Sequence, residues 1–160
     1  TFKWVKVLTP NENEARLAGL DGKAKMSKSL GNAIFLSDEP EEVANKVKSA
    51  YTDPKHIHKD DPGHIMGNVV FSYLDAFDPD SEGLSKMKKA YKKGGLGDVE
   101  VKNHLTKTLN TFLDPIRTQR SKYNRKDREL MTILKLGSKK ARNIGAAKIS
   151  EVRRRLFIDY

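Results

Sequence analysis

The sequence of 160 residues contains no cysteine. The chain can therefore form neither a disulfide framework nor a thiolate metal site, and this composition suits a reducing cytoplasm. It also has no apolar run near the roughly 20 residues that a membrane-spanning helix needs. We expect a cytoplasmic protein that does not enter a membrane. Because the chain begins at Thr1 rather than at a methionine, we also expect either a fragment of a longer protein or a processed chain.

Acidic residues are scarce near the C-terminal end. Residues 1–114 hold 17 basic and 17 acidic residues, whereas residues 115–160 hold 14 basic and 4 acidic ones, so the net charge of +10 arises in the last 46 residues. Such an asymmetry indicates a polyanionic partner, either a nucleic acid or an acidic membrane surface. A solubilising helix face would explain the charge alone equally well.

Most of the chain has a helical pattern. Residues 2–8 alternate apolar and basic side chains and predict one short strand, and residues 11–33, with three glycines, predict a mobile loop. Apolar residues then recur at helical spacing. The predicted helices are one capped by Ser37 or Asp38, then 65–77, 81–93, a longer one capped by Asp98 and kinked or split at Pro115, and finally 128–136 and 138–157, separated at Gly137. These patterns predict a mainly α protein, an antiparallel helical bundle preceded by a short strand and a loop.

The string Lys25-Met26-Ser27-Lys28-Ser29 places two lysines three residues apart in a loop bounded by Gly22 and Gly31. When ATP is cleaved between its α- and β-phosphates, pyrophosphate leaves with several negative charges. Ammonium groups that close over it stabilise the charge that develops in the transition state. A loop suits this task because it can move away for product release. Short lysine- and serine-rich strings are common, however, and composition alone favours an exposed loop without function.

The string matches the second signature motif of the class I aminoacyl-tRNA synthetases, and its surroundings resemble the tryptophanyl branch of that family. The similar segments are Gly19 to Ile34, Thr52-Asp53-Pro54, Asp61-Pro62-Gly63, residues 67–77, 94–98, 112–117 and 137–142. The resemblance covers about residues 17–157. A tyrosyl-tRNA synthetase fragment and a non-catalytic helical RNA-binding module that keeps the loop as a relic are the two alternatives.

This resemblance implies an ATP- and Mg²⁺-dependent ligase that attaches tryptophan to tRNA(Trp) through an aminoacyl adenylate. Lys25 and Lys28 would be the catalytic contacts to the ATP phosphates. Ser27 and Ser29 would support the loop through hydrogen bonds, and Met26 would pack, so that all five residues form the ATP-binding loop.

The resemblance also implies two domains. Residues 1–36 would be the C-terminal edge of a Rossmann-like catalytic domain, and residues 37–160 a helical domain that recognises the tRNA anticodon end. The family's nucleotide-binding motif and tryptophan pocket are absent from this sequence. We therefore expect the fragment to be inactive alone, and the intact enzyme to be a homodimer formed through the missing N-terminal half.

Two sets of polar residues complete the predicted sites. The basic C-terminal region supplies the expected contacts to tRNA phosphates, which are Arg117, Arg120, Lys122, Arg125, Arg142, Arg153 and Arg154. The histidines 56, 58 and 64 lie near Asp60 and Asp61, but their spacing fits no common zinc pattern. We expect surface histidines there and no metal site.

Overall fold

The computed structural model describes residues 6–8, 17–124 and 126–158, and most of these residues are helical. The helices are α1 (Pro40–Lys48), α2 (Val69–Phe77), α3 (Ser81–Lys93), α4 (Asp98–Tyr123) and α5 (Asp127–Arg155). Within the described residues the only β-structure is one isolated bridge, so the prediction of a mainly α protein is confirmed. The predicted strand over residues 2–8 falls partly outside the described residues, and residues 6–8 adopt no regular structure.

The chain divides into two compact units. One spans Thr9–Thr118, and the other combines Thr1–Leu8 with Gln119–Tyr160. The predicted boundary between a catalytic and a helical domain at residue 36 stays a prediction. No helix in the described part of the chain is both long enough and apolar enough to cross a membrane.

The first unit has one apolar core, to which α1, α2, α3 and α4 all contribute. Helix α4 presents one apolar face, because its buried residues recur every four positions and side chains at that spacing lie on the same side of a helix. These residues are Val101, Leu105, Leu109 and Leu113. Fully burying one such side chain contributes about 1.5–3 kcal/mol. The core therefore stabilises this unit and supports the segment before α1.

Local signals set the ends of α2 and α3. Asn68 caps α2, since its side chain accepts a hydrogen bond from the Val70 amide, and the helix begins four residues later than predicted. Asp80 caps α3 through the Gly83 amide. Gly94 ends α3 with φ +84°, a conformation that glycine adopts without strain. The predicted range of 81–93 for α3 is confirmed.

The hydroxyl of Tyr91 lies at the centre of a buried polar network. It donates to Asp98 Oδ1 at 2.7 Å and accepts from Asn68 Nδ2 at 3.3 Å. Asp98 Oδ2 accepts from the Thr52 hydroxyl at 2.7 Å. Burial, and then the Asp98 carboxylate, raise the pKa of Tyr91 well above its ordinary value. Asp98 was predicted as a helix cap, but its carboxylate instead joins α3 to the segment after α1.

The glycine at position 63 lets the chain lie against the Tyr91 ring. A Cβ at Gly63 would come within 2.3 Å of that ring. The Gly63 amide also donates to the Tyr91 carbonyl at 2.9 Å. Tyr91 thus holds the segment before α2 through both its backbone and its ring.

Three predicted helix features are wrong. Neither Ser37 nor Asp38 caps α1: its N-cap is Glu39, and no side chain makes a capping bond there. Pro115 lies inside α4 and does not split it, since the helix continues to Tyr123 although the proline lacks the amide for one helical bond; the alternative, a kink at Pro115, stays a prediction. Gly137 lies inside α5 and does not split it. One glycine costs about 1 kcal/mol in a helix, which the neighbouring helix formers offset.

Helix α5 differs from the others because none of its residues, all of which are described, is buried. On α4, Phe112 is 47% exposed, whereas its neighbour Leu113 is buried. The Phe112 ring instead lies against Phe77, with centroids 5.2 Å apart.

Removing the Tyr91 hydroxyl should destabilise the first unit. Tyr91→Phe leaves half-buried Asp98 Oδ1 and buried Asn68 Nδ2 without this partner, and a stranded buried polar group such as the latter costs about 1–3 kcal/mol. Urea denaturation followed by circular dichroism measures the loss. Tyr51→Phe, at a 43% exposed tyrosine, is the matched control and should change the free energy of unfolding little. Equal effects of the two substitutions would contradict the role of the network.

Candidate functional site

The chain reaches the two lysines through a tight turn. Ala18 and Lys25 form the isolated antiparallel bridge, so the segment between them folds back on itself. Gly22 adopts φ +69° in this turn, and a Cβ there would come within 2.7 Å of the Tyr51 ring. Glycine therefore suits this position for both its backbone angle and its small size.

Residues 25–29, called here the lysine loop, expose their two lysines, whereas their apolar residue, Met26, is half-buried. Lys25 and Lys28 are exposed, and neither forms an ion pair within the described part of the chain. The Ser27 and Ser29 hydroxyl oxygens lie 3.0 Å apart, within hydrogen-bond distance. Met26 is half-buried and packs against the core. Two cationic side chains are thus available to solvent on an anchored backbone.

Asn32 holds the lysine loop from within. It is 6% exposed, and its Oδ1 accepts a hydrogen bond from the Ser27 amide at 2.8 Å. Its Nδ2 donates to Asp21 Oδ1 at 3.2 Å and lies 3.5 Å from the Lys25 carbonyl oxygen. One carboxamide therefore contacts both the turn and the lysine loop.

Two tyrosines tie the turn to the helices. The Tyr73 hydroxyl of α2 donates to the Ala18 carbonyl at 2.8 Å. The Tyr51 amide donates to the Leu20 carbonyl at 2.8 Å. Burial, with the nearby Asp21 charge, raises the pKa of Tyr73 to about 12. Tyr73 therefore stays protonated and can donate this bond throughout the physiological pH range.

Asp38 anchors the far end of the segment. Its Oδ2 accepts from the Phe35 amide at 2.8 Å and from Lys46 Nζ at 2.6 Å. Burial would lower the pKa of Lys46, but its bonds to Asp38 and Glu42 raise it. The Asp38 carbonyl accepts from Arg117 Nε at 2.7 Å. The residue predicted to cap α1 therefore links the segment to α1 and α4.

The three histidines of the segment between α1 and α2 have different surroundings. The expectation of a surface residue is wrong for His56, which is 7% exposed and packs edge-on against Tyr91 with ring centroids 4.3 Å apart. His58 and His64 are exposed. Among the described residues no three histidine or acidic side chains converge to hold a metal.

Asp53 organises the same segment. Hydrogen bonds from the Lys55 amide and from His64 outweigh its burial and lower the pKa of Asp53 to about 2. Its Oδ2 lies 2.8 Å from both the His64 amide and the His64 Nδ1 atom. The carboxylate is therefore ionised at neutral pH and braces the turn between α1 and α2.

The predicted tRNA contacts differ in their surroundings. Arg125 lies outside the described residues. Five of the others are exposed, namely Arg120, Lys122, Arg142, Arg153 and Arg154. Arg117 is half-buried, and besides its bond to Asp38 it donates through Nη2 to Asn110 at 2.8 Å. Arg117 therefore makes its hydrogen bonds within the protein. The five exposed residues are better placed to bind an anion from solution.

Three basic residues align along α5. Arg142 lies seven residues after Lys135, and Arg153 lies eleven residues after Arg142, so all three fall on one side of the helix. They are exposed, and at 1.5 Å per residue they span roughly 27 Å. Sequence reasoning named two of them but did not identify this alignment, called here the α5 stripe.

Sequence reasoning also missed Asn32 and Asp21. No local pattern in the sequence marks Asn32 as buried, although it is 6% exposed. Its partners lie up to 11 residues away in sequence. The spacing of residues alone therefore could not identify them.

Comparison with known proteins places these features in a family. The family described as tRNA synthetases class I (W and Y) matches residues 1–114. A tryptophan–tRNA ligase from Clostridium longisporum is 50% identical over 155 residues, which are 97% of this chain and 46% of that protein. The ligase of the same name from Streptococcus pyogenes is 49% identical over 152 residues, 94% of this chain and 45% of that protein.

Solved structures agree. A tryptophanyl-tRNA synthetase from Campylobacter jejuni, complexed with ADP and tryptophan, has a TM-score of 0.75 and 29% sequence identity. That match covers 91% of this chain and 44% of the other. This chain thus belongs to the class I tRNA synthetases of the tryptophanyl and tyrosyl group, and it spans about half the length of the curated relatives that it matches.

Proposed function

We propose that this chain is the C-terminal part of a cytoplasmic tryptophan–tRNA ligase, to which it contributes the ATP-phosphate loop and tRNA-binding helices. The observation that carries the proposal is the 50% identity, across 97% of the chain, to a ligase of that name. The exposed lysine pair on a braced loop supports it chemically, because such a pair suits a polyphosphate.

The lysine loop would act when tryptophan is activated. A carboxylate oxygen of tryptophan attacks the α-phosphorus of ATP, the bond to the bridging oxygen breaks, and pyrophosphate leaves. Lys25 and Lys28 would contact the β- and γ-phosphates and stabilise the charge that moves onto them. Their side chains are exposed, so they can close over the nucleotide and then release the product.

Mg²⁺ would add positive charge at the same phosphates. It is a hard cation that protein sites commonly bind through one or two carboxylates and the phosphates of the substrate. We assign no Mg²⁺ ligand to this chain, and the ion would reach the site bound to the phosphates of ATP.

The basic residues of α5 would contact the phosphate backbone of tRNA(Trp). The α5 stripe has three exposed cations on one side of one helix, which suits a line of phosphates better than a single small anion. Phosphate contacts supply affinity without reading the bases. Recognition of the anticodon would therefore need further contacts.

Two other functions make different predictions. A tyrosyl-tRNA synthetase would exchange pyrophosphate with tyrosine rather than with tryptophan, and the identity to tryptophan–tRNA ligases favours the latter. A non-catalytic RNA-binding module would lack a nucleotide-binding half upstream. The homodimer expected through that half stays a prediction.

The chain of residues 1–160 alone should form no tryptophanyl adenylate. It spans 46% of the length of its relative, and its sequence lacks the family's nucleotide-binding motif and tryptophan pocket. Tryptophan-dependent ATP–pyrophosphate exchange measures this, with the full-length protein as the positive control and tyrosine as the competing substrate. Exchange by the purified fragment above its background without tryptophan would refute the expectation.

In the full-length protein, Lys28→Ala should slow adenylate formation by about 10²–10³-fold, by analogy with the loss of one transition-state hydrogen-bond donor. Pre-steady-state measurement at saturating ATP isolates this step. Lys25→Ala should act similarly. Lys23→Ala is the matched control, an exposed lysine in the adjoining turn, and should retain the normal rate. A normal rate for Lys28→Ala would remove that residue from the mechanism.

Replacing Lys135, Arg142 and Arg153 together by glutamine should weaken tRNA binding by the full-length protein. Each lost phosphate contact should reduce the slope of log affinity against log salt by about 1. Because phosphates carry no base information, cognate and non-cognate tRNA should weaken by similar factors. Filter binding at several salt concentrations measures both quantities.

The matched control for the α5 stripe is a triple substitution on α3. Lys86, Lys89 and Lys93 are exposed lysines, and replacing them by glutamine removes the same charge. If both triple variants lost affinity and slope equally, net charge would explain the binding and α5 would have no special role.

A further inference from the structure

The side chain of Asn32 contacts both the lysine loop and the turn before it. Its carboxamide offers one oxygen acceptor and two N–H donors. The Ser27 amide can only donate, so the oxygen must face it, and the orientation of the carboxamide follows. The donors then face Asp21 Oδ1 at 3.2 Å and the Lys25 carbonyl oxygen at 3.5 Å.

Ser27 lies between the two lysines of the loop. A bond from its amide to a buried side chain fixes the backbone at the midpoint between Lys25 and Lys28. The backbone of Asn32 is itself held, since its carbonyl accepts from the Leu20 amide at 2.9 Å. The spacing of the two lysine backbones therefore depends on a residue that lies outside the lysine loop and is 94% buried, given its 6% exposure.

We propose that Asn32 is a positioning residue for adenylate formation: its carboxamide presets the lysine loop so that both ammonium groups reach the leaving pyrophosphate. This inference rests on the proposed function of the loop. Asn32 touches no substrate in this role and acts through the backbone of the two lysines. Presetting matters because a displacement of about 1 Å can cost on the order of a hundredfold in rate.

The surroundings of Asn32 fit an asparagine specifically. A Cβ at Gly19 would lie 2.0 Å from Asn32 Nδ2, so the glycine leaves room for the amide. Burial would raise the pKa of Asp21, but hydrogen bonds from Asn32 and from backbone amides lower it. Aspartate at position 32 would keep the acceptor for Ser27 but would face the Asp21 carboxylate with a like charge. Glutamine would add a methylene where there is little space.

The structure suggests a reciprocal exchange as the test. Asn32→Asp loses the donors and sets two carboxylates against each other. Adding Asp21→Asn supplies a new donor at position 21, so a hydrogen bond between the two side chains forms again with its direction reversed. The carboxylate introduced at position 32 still accepts from the Ser27 amide. The new amide nitrogen takes the place of Asp21 Oδ1, so the exchange gives up the exposed 3.3 Å bond that this oxygen now accepts from the Lys23 amide.

We expect Asn32→Asp and Asn32→Ala to slow pre-steady-state adenylate formation in the full-length protein on the order of a hundredfold. The KM for tryptophan and the affinity for tRNA should be unchanged, because a positioning role acts on the chemical step. Asp21→Asn alone should cause the smaller loss. The exchange Asp21→Asn with Asn32→Asp should recover at least about tenfold over Asn32→Asp, which is the coupling that a double-mutant cycle measures.

Several outcomes would overturn the inference. A normal adenylate rate for Asn32→Asp would do so, as would an exchange variant no faster than Asn32→Asp. Losses spread over the rate, the KM for tryptophan and tRNA affinity would show general destabilisation. Circular dichroism identifies a variant that does not fold. If Asn32→Asp does not fold, the exchange variant alone tests the proposal. An exchange variant that does not regain both the fold and the adenylate rate would also count against it.

The experiment separates this inference from the proposed function. If Lys28→Ala is slow while the Asn32 variants are normal, Asn32 has no positioning role and the function stands. If the unsubstituted full-length protein shows no tryptophan-dependent exchange, the proposed function itself is wrong.

Discussion

The hydroxyl of Tyr91 is the contact on which most of the first unit depends. It bonds to buried Asn68 and half-buried Asp98, and these two residues lie at the beginnings of α2 and α4. One side chain at the end of α3 thus links two other helix ends. A polar group in an apolar core is costly unless it is paired, so each partner constrains the others. Apolar packing brings these helices together, and this network defines how their ends meet.

The same network extends by short steps to the lysine loop. Asp98 accepts from Thr52, and the neighbouring Tyr51 amide donates to Leu20, whose own amide donates to Asn32. Asn32 then accepts from Ser27. The backbone of the lysine loop is thereby attached to the core, while its lysine side chains stay in solvent. In the proposed function this attachment would reduce the entropy lost when the loop closes on ATP and would still permit product release.

Structural features that depend on neighbouring residues in the sequence were predictable, whereas features that depend on a partner distant in sequence were not. Asp80 and Gly94 signal the two ends of α3 locally, and α3 has its predicted range. Asp38 is also a residue type that commonly caps helices, but its carboxylate instead accepts hydrogen bonds from the Phe35 amide and from Lys46 Nζ. The helix break predicted at Gly137 was wrong because a single glycine destabilises a helix too little to end it within a long run of helix formers. His56 follows the same rule, since Tyr91, 35 residues away, buries it.

The same distinction between local and distant contacts applies to the residues of the candidate site. The motif predicts a role for Lys25 and Lys28 because the proposed chemistry lies in their own charged groups, and this role stays a prediction. It did not identify Asn32, because the role proposed for that residue lies in contacts 5 to 11 residues away. Charge was an equally incomplete guide at the basic end: Arg117 and Arg142 look alike in sequence, yet Arg117 bonds to Asp38 and Asn110 inside the protein. Arg142 is exposed on α5. A cationic side chain that already bonds to acceptors within the protein gains less binding free energy from a phosphate than one that bonds only to water. Position within the fold, and not charge alone, therefore decides which arginines suit an RNA partner.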